Sequence, residues 1–387
     1  MASLVLTIKE TLRYRGALGQ WSWVLHRLTG LGVVFFLILH VIDTAWAVTS
    51  PASYVKAIAA YQSPLFTIGE FGLVFAVVYH ALNGLRISVM DFKPEWWKYQ
   101  QRAAVWVLVG TAVILVPVFI GMGSHVLHHY EGDPFIMPFG EVIAEQLVFI
   151  PYFIGGAIAA GTIAFGWSAL RINVEDDKGT VGIGKSTKTM RRIEKFWWSF
   201  MRISGVLIIP LVFGHLAMMH VLQGVFDITL ADGAVVGTAQ IEDISAADIA
   251  AFQESTTDAN IYMENAPLAA EGLPTGTVIV PNGINETGTA VEFVAERWNF
   301  LVNGVAVWKF YDMALLILVV MHGFNGLRLV LTDYTMDNRF ARSFVIAISV
   351  VGALGLLFVG LQSLWLSIDN EAINMAVEAT RTLYEIE

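Results

Sequence analysis

Apolar residues recur along the chain in runs of about twenty, which at 1.5 Å rise per residue are long enough to cross a hydrocarbon layer of roughly 30 Å. The runs predict seven membrane-spanning helices, at residues 21–48, 66–91, 104–123, 147–170, 197–225, 304–332 and 341–366. The expected fold class is an all-α polytopic membrane protein. One segment breaks the pattern. Residues 226–297 are acidic, carry Pro and Gly throughout and include strand-like stretches such as TVIV at 277–280. They predict a small extracytoplasmic insert, β-rich or irregular. Its single sequon, Asn285-Glu286-Thr287, is weak as a signal.

Composition fits a membrane setting: 56% of the 387 residues are hydrophobic and 14% charged. The formal charge of -10 matters less than where the basic residues fall. With the N-terminus cytoplasmic, all 23 Lys and Arg lie in or beside inner segments except Lys56, Arg297, Lys309 and Arg381. That is the bias required of a correct span count and orientation. The expected location is a prokaryotic cytoplasmic membrane, multi-pass, with the C-terminus extracytoplasmic. Before its basic residues the N-terminus, MASLVLTIKETLRYRG, has no apolar core of the signal-peptide kind. Lipid is the expected surrounding, and no nucleic-acid partner is expected. Cysteine is absent, which excludes disulfides, thiolate zinc sites and cysteine-ligated iron–sulfur clusters.

The chain also repeats itself. Arg27-Leu-Thr-Gly30 precedes His40, and Arg202-Ile-Ser-Gly205 precedes His215, with the same offsets. HALNGLR at 80–86 answers HGFNGLR at 322–328, each followed by an aspartate, Asp91 or Asp333. The expected organisation is two parallel three-helix repeats, residues 1–130 and 197–387. A linker at 131–196 holds an extra span, rich in Gly and Ala and suited to close packing.

Helical rise then sets depth. His40 and His215 lie thirteen residues beyond an inner-border arginine, about 20 Å into the membrane. His80 and His322 lie six residues before one, about 9 Å from that border. The four form two depth-matched pairs, one member from each repeat, about 10 Å apart along the normal. Such an arrangement would hold two bis-histidine haems, His80 with His322 (inner) and His40 with His215 (outer), with no open position left for oxygen. Gly84 and Gly326, one turn from His80 and His322, are expected to clear space for the ring, and Gly214 and Gly323 to ease its approach. Arg27, Arg86, Arg202 and Arg328 either pair with haem propionates or anchor helix ends. Each residue has a plainer reading, since an intramembrane His or Gly is often a helix-packing residue. His125, His128 and His129 cluster beyond span three and read as water-exposed or as part of a second quinone pocket; His220 reads as structural.

SWVLHRLTGLGVVFFLILHVIDT at 22–44, HALNGLRISVMDF at 80–92 and HGFNGLRLVLTDY at 322–334 resemble the cytochrome b membrane anchors of succinate:quinone oxidoreductases, with the two usual anchor subunits fused. The resemblance implies two haems b and an electron path from a flavoprotein and an iron–sulfur subunit on the cytoplasmic side to a membrane quinone, menaquinone or ubiquinone. It implies a quinone-reducing subunit with no succinate site of its own, in a complex that can assemble further. The family's quinone pocket maps to Ser22, Trp23, His26, Arg27, Asp333 and Tyr334. Ser22 lies four residues before His26, where the familiar spacing is three and this chain has Trp23. Phe92 and Met201 stand where Tyr334 and His26 have their counterparts in the other repeat, so one principal inner site is expected. Trp96, Trp97, Trp197 and Trp198 read as interfacial aromatics. Two alternatives are the cytochrome b anchor of another quinone-linked oxidoreductase and a non-haem transporter, which would not need one histidine per copy at each of two depths.

Overall fold

The computed structural model describes residues 17–131, 136–170, 188–216, 289–299, 305–335, 338–366 and 368–384. The described elements are helices: α1 (Leu18–Thr49), α2 (Pro51–Tyr61), α3 (Pro64–Phe92), a 3-10 turn (Pro94–Tyr99), α4 (Gln100–Glu131), α5 (Phe139–Leu147), α6 (Ile150–Leu170), α7 (Lys188–Leu216), α8 (Ala290–Asn299), α9 (Val307–Asp333), α10 (Arg339–Trp365) and α11 (Asn370–Tyr384). Among the described residues seven helical stretches are long and apolar enough to cross a membrane, each overlapping one of the predicted runs; the end of the fifth run, 217–225, lies outside the described residues.

Local chemistry explains most boundaries. Proline disfavours a helical residue before it and is itself suited to the first helical position. The chain accordingly breaks at Ser50-Pro51, Ser63-Pro64 and Lys93-Pro94, and a new element starts at each proline. Pro117 and Pro210 sit inside α4 and α7, which membrane helices tolerate. Asn338 caps α10 by accepting the Ala341 N–H at 2.9 Å, and Asp369 caps α11 by accepting that of Ala372 at 3.0 Å.

Four helices form a ring. α1 packs beside α3 and α9, and α7 also packs beside α3 and α9. Neither diagonal, α1 with α7 or α3 with α9, is a packed interface among the described residues. The remaining spans lie outside this ring: α4 against α3 and α1, α10 against α9 and α1, and α6 against α10. The α6 contact uses small residues, with Ala160, Ala164 and Ala347 buried together, as expected where lipid gives no hydrophobic drive to association.

The largest buried core lies at the end of the bundle opposite Arg27. Three short helices, α2, α8 and α11, pack there on one another and on α1 and α9. Tyr54 and Val55, Val291 and Val294, and Ala372 and Ala376 meet Val41, Trp46, Leu316 and Val320. Asp43 of α1 accepts the Tyr61 hydroxyl and so ties α2 to its neighbour. Burial pushes that phenol well above its ordinary pKa. Of the segment expected as a β-rich or irregular insert at 226–297, the described part is helical and belongs to α8. The rest, with the TVIV stretch and the sequon, lies outside the described residues, as does His220.

Candidate functional site

The ring places the four candidate histidines on its two diagonals. His80 on α3 faces His322 on α9 with ring centres 6.5 Å apart and planes at 88°. His40 on α1 faces His215 on α7 at 6.2 Å and 78°. Two imidazoles bound to opposite sides of one iron, each through a bond of about 2 Å, have ring centres roughly 6 Å apart. Both pairs therefore have the separation that one iron between them demands.

Hydrogen bonds fix the tautomers. His80 Nδ1 lies 3.1 Å from the His26 carbonyl, which can only accept, so the proton is on Nδ1. His322 Nδ1 lies 3.0 Å from Ser204 Oγ. The Ser204 hydroxyl already donates to the Phe200 carbonyl at 2.6 Å, so here too the imidazole donates. His215 Nδ1 lies 3.3 Å from the Asp312 carboxylate, another acceptor. In all three rings Nδ1 is the nitrogen tied to a neighbour, the arrangement of a metal-ligating histidine held through its other nitrogen.

Two glycines that the sequence did not tie to the inner histidines lie closest to their imidazoles. A Cβ at Gly30 would meet His80 Cε1 at 2.8 Å, and one at Gly205 would meet His322 Cε1 at 3.1 Å. Gly84 and Gly326 have ordinary room: a Cβ there would lie 3.5 Å from the His26 ring and 3.9 Å from Met201. They face α1 and α7, Gly84 toward the His26 ring that stacks on His80. Gly214 abuts the Tyr311 hydroxyl and Gly323 the Val34 side chain at 2.9 Å, so both serve helix contacts.

The four arginines also divide into two kinds. Arg27 pairs with Asp333, and Arg202 with Asp91 at 2.7 Å. Each guanidinium also lies over the tryptophan four residues before it, Trp23 at 4.1 Å or Trp198 at 4.5 Å. These pairs link α1 to α9 and α7 to α3, and so tie the two halves of the chain reciprocally. Arg86 and Arg328 have no carboxylate partner among the described residues. Arg86 donates to the Gln100 carbonyl at 3.2 Å and keeps a buried Nε with no acceptor; Arg328 donates to Asn325 Oδ1 at 2.8 Å.

Around Arg27 the candidate quinone residues gather unevenly. The His26 ring stacks on His80, with centres 4.0 Å apart and planes within 7°, and its Nδ1 is buried with no partner among the described residues. Asp333 ends α9, and Tyr334, 77% exposed, follows it. Ser22 belongs elsewhere: it is buried between α1 and α3, donates to Asn83 Oδ1 at 2.8 Å and accepts from Tyr79 at 3.1 Å. Next to it a cavity of about 220 Å³ opens between α1, α3 and α4, lined by Leu18, Trp21, Leu25, Leu28 and Leu108. That cavity lies on the opposite face of α1 from Arg27 and is apolar. His125, His128 and His129 sit on α4, and their side chains lie outside the described residues.

Asn83 and the Ser22 contact explain part of the repeated heptapeptide that its glycine and arginine do not. A longer repeat, Trp-x-x-x-Arg-x-x-Gly at 23–30 and 198–205, was a signal available in the sequence for the tryptophan–arginine stacks.

Residues 8–123 match the family described as succinate dehydrogenase/fumarate reductase transmembrane subunit. The chain is similar to the succinate dehydrogenase 2 membrane subunit SdhC of Mycobacterium tuberculosis, 42% identical over 119 residues, which are 30% of this chain and 87% of that protein. It is also similar to the succinate dehydrogenase hydrophobic membrane anchor subunit of Halobacterium salinarum, 29% identical over 106 residues, 26% of this chain and 81% of that protein. No solved structure matches the chain.

Proposed function

Because the chain belongs to the succinate dehydrogenase/fumarate reductase transmembrane subunit family, we propose that this membrane anchor is a dihaem cytochrome b with one principal quinone site at its arginine-bearing, cytoplasmic end. The observation that carries this reading is the crossed pair of diagonals: two histidine pairs, at 6.5 Å and 6.2 Å, in a four-helix ring whose diagonals are not otherwise packed. His80 and His322 would hold the inner haem, and His40 and His215 the outer. The haems supply one-electron carriage between the iron–sulfur subunit and the quinone. Gly30 and Gly205 hold the inner imidazoles in place, and Arg86, with its orphaned Nε, and Arg328 are the arginines free to take a propionate.

The chain's own residues divide the work at the quinone. The Tyr334 phenol donates to a carbonyl of the bound quinone. The Arg27 guanidinium, held by Asp333 and by the face of Trp23, stabilises the negative charge that develops on reduction. His26 touches the His80 ring and follows Trp23 by one helical turn, so it bridges the quinone residues to the inner pair. Ser22, bonded to Asn83 and Tyr79, would brace α3 beside the site. In this reading both anchor subunits of the usual complex are joined in one chain, and the flavoprotein and iron–sulfur partners dock at the cytoplasmic end.

A redox titration of the purified complex tests the haem assignment. The expected result is two b-type components. His322→Ala should remove one and His215→Ala the other. A complex without b-type absorbance, or a single replacement that removes neither component, overturns the reading.

A further inference from the structure

Arg297 is the one basic residue between 226 and 297, and it is 3% exposed in an otherwise acidic segment. From α8 its guanidinium reaches Asp312 on α9, with Nε 3.2 Å from Oδ2 and Nη2 3.0 Å from Oδ1. Trp298 Nε1 donates to Oδ2 at 3.3 Å. The fourth donor is His215, whose Nδ1 lies 3.3 Å from Oδ1. Arg297 also lies over the Trp308 ring at 4.6 Å, and its Nη1 is buried with no acceptor among the described residues. A carboxylate within a membrane span is costly unless compensated, and here four donors surround it. Three would satisfy its charge; the imidazole is the donor with a further use.

We propose that Asp312, Arg297 and Trp298 form a clamp on the outer haem ligand. The carboxylate fixes the ring of His215, holds its proton on Nδ1 and raises the donor strength of Nε2 toward iron. This inference rests on the haem reading above. A hydrogen bond to a charged acceptor raises the basicity of a ligating imidazole, which favours the ferric state and lowers the midpoint potential. The two inner histidines differ in this respect: His80 donates to a neutral carbonyl and His322 to a neutral hydroxyl. Arg297 and Trp298 hold the same carboxylate from α8. Helix α8 thus brings to the outer site the two residues that set its electronic character. Asp312 is ten residues before His322 on α9, and Glu70 stands ten residues before His80 on α3, so the clamp is built on a position that is acidic in both halves.

The test is a redox titration of the full complex, followed by b-band absorbance and by the electron paramagnetic resonance of the low-spin ferric haems. Asp312→Asn should shift the outer component's oxidised-to-reduced equilibrium about tenfold toward reduction, which is about 59 mV for one electron, and move its resonance. The inner component should stay in place. Trp298→Phe keeps the carboxylate charged and removes a competing donor, so its hydrogen bond to His215 strengthens and the midpoint moves the other way by a smaller amount. A general loosening would not produce opposite signs. If His215→Ala loses the outer component while Asp312→Asn and Trp298→Phe leave its midpoint unmoved, or both variants move the two components alike, the clamp is overturned and the haem reading stands. A complex without b-type absorbance overturns both.

Discussion

A single methyl group tests the packing around His80. Gly30→Ala would bring a Cβ to 2.8 Å from the ring, closer than real contacts allow, so the ring or the helix must shift. Overpacking of this kind costs about 1–3 kcal/mol. We expect lower haem content per chain and a lower inactivation temperature, with Gly205→Ala milder. Gly32→Ala, with nothing described within 4 Å, should behave as wild type, and Gly84→Ala nearly so. Pyridine haemochromogen absorbance per milligram checks this; haem loss in Gly84→Ala with none in Gly30→Ala would reverse the assignment. At the other candidate site, Tyr334→Phe gives this half the residue the first half has at Phe92. Losing a hydrogen bond to a group that becomes charged costs about 1.5–3 kcal/mol. Succinate-to-quinone kcat/KM should fall tenfold to a hundredfold while electron transfer to a dye that accepts from the soluble subunits is unchanged. Equal loss in both assays would move Tyr334 out of the quinone site.

Helices α1, α3, α7 and α9 are tied by charge as well as by shape. The motif arginine of each half takes the aspartate that ends the second helix of the other. Arg202–Asp91 is the cleaner of the two pairs to perturb, because Arg27 also belongs to the proposed quinone site. A double-mutant cycle with Arg202→Gln and Asp91→Asn should give a coupling of about 1 kcal/mol for this partly buried pair, measured by thermal unfolding in detergent at low salt. Additive effects would mean that the ring holds by packing alone. The reciprocity was half legible: the sequence shows both arginines and both aspartates, at matched offsets, but not that each arginine crosses to the other half. Pairing depends on which helix lies beside which, and nothing in a local pattern fixes that. The amphipathic α2 and α11, by contrast, had a readable signal in their Pro51 and Asp369 starts, and fell outside a search for twenty-residue apolar runs.

Seven spans would put Leu18 and Tyr384 on opposite sides of a membrane, and the distribution of basic residues predicts which side each takes. A periplasmic-reporter phosphatase fused after Glu387 should be active, and one fused within 171–187 inactive; the reverse pattern would invert the molecule and move the quinone site to the outer face. Span number and position were determined by the sequence alone, since hydrocarbon thickness sets a length and lysine and arginine set a direction. So was the grouping of the histidines by depth, because helical rise converts residue offset into distance. What only the tertiary structure decided was rotation about each helix axis. Membrane helices are apolar nearly all round, so hydrophobicity does not tell the face that meets a neighbour from the face that meets lipid. That is why the glycines that crowd His80 and His322 come from α1 and α7, why Ser22 faces Asn83, and why Arg297, remote in sequence from His215, reaches the same carboxylate.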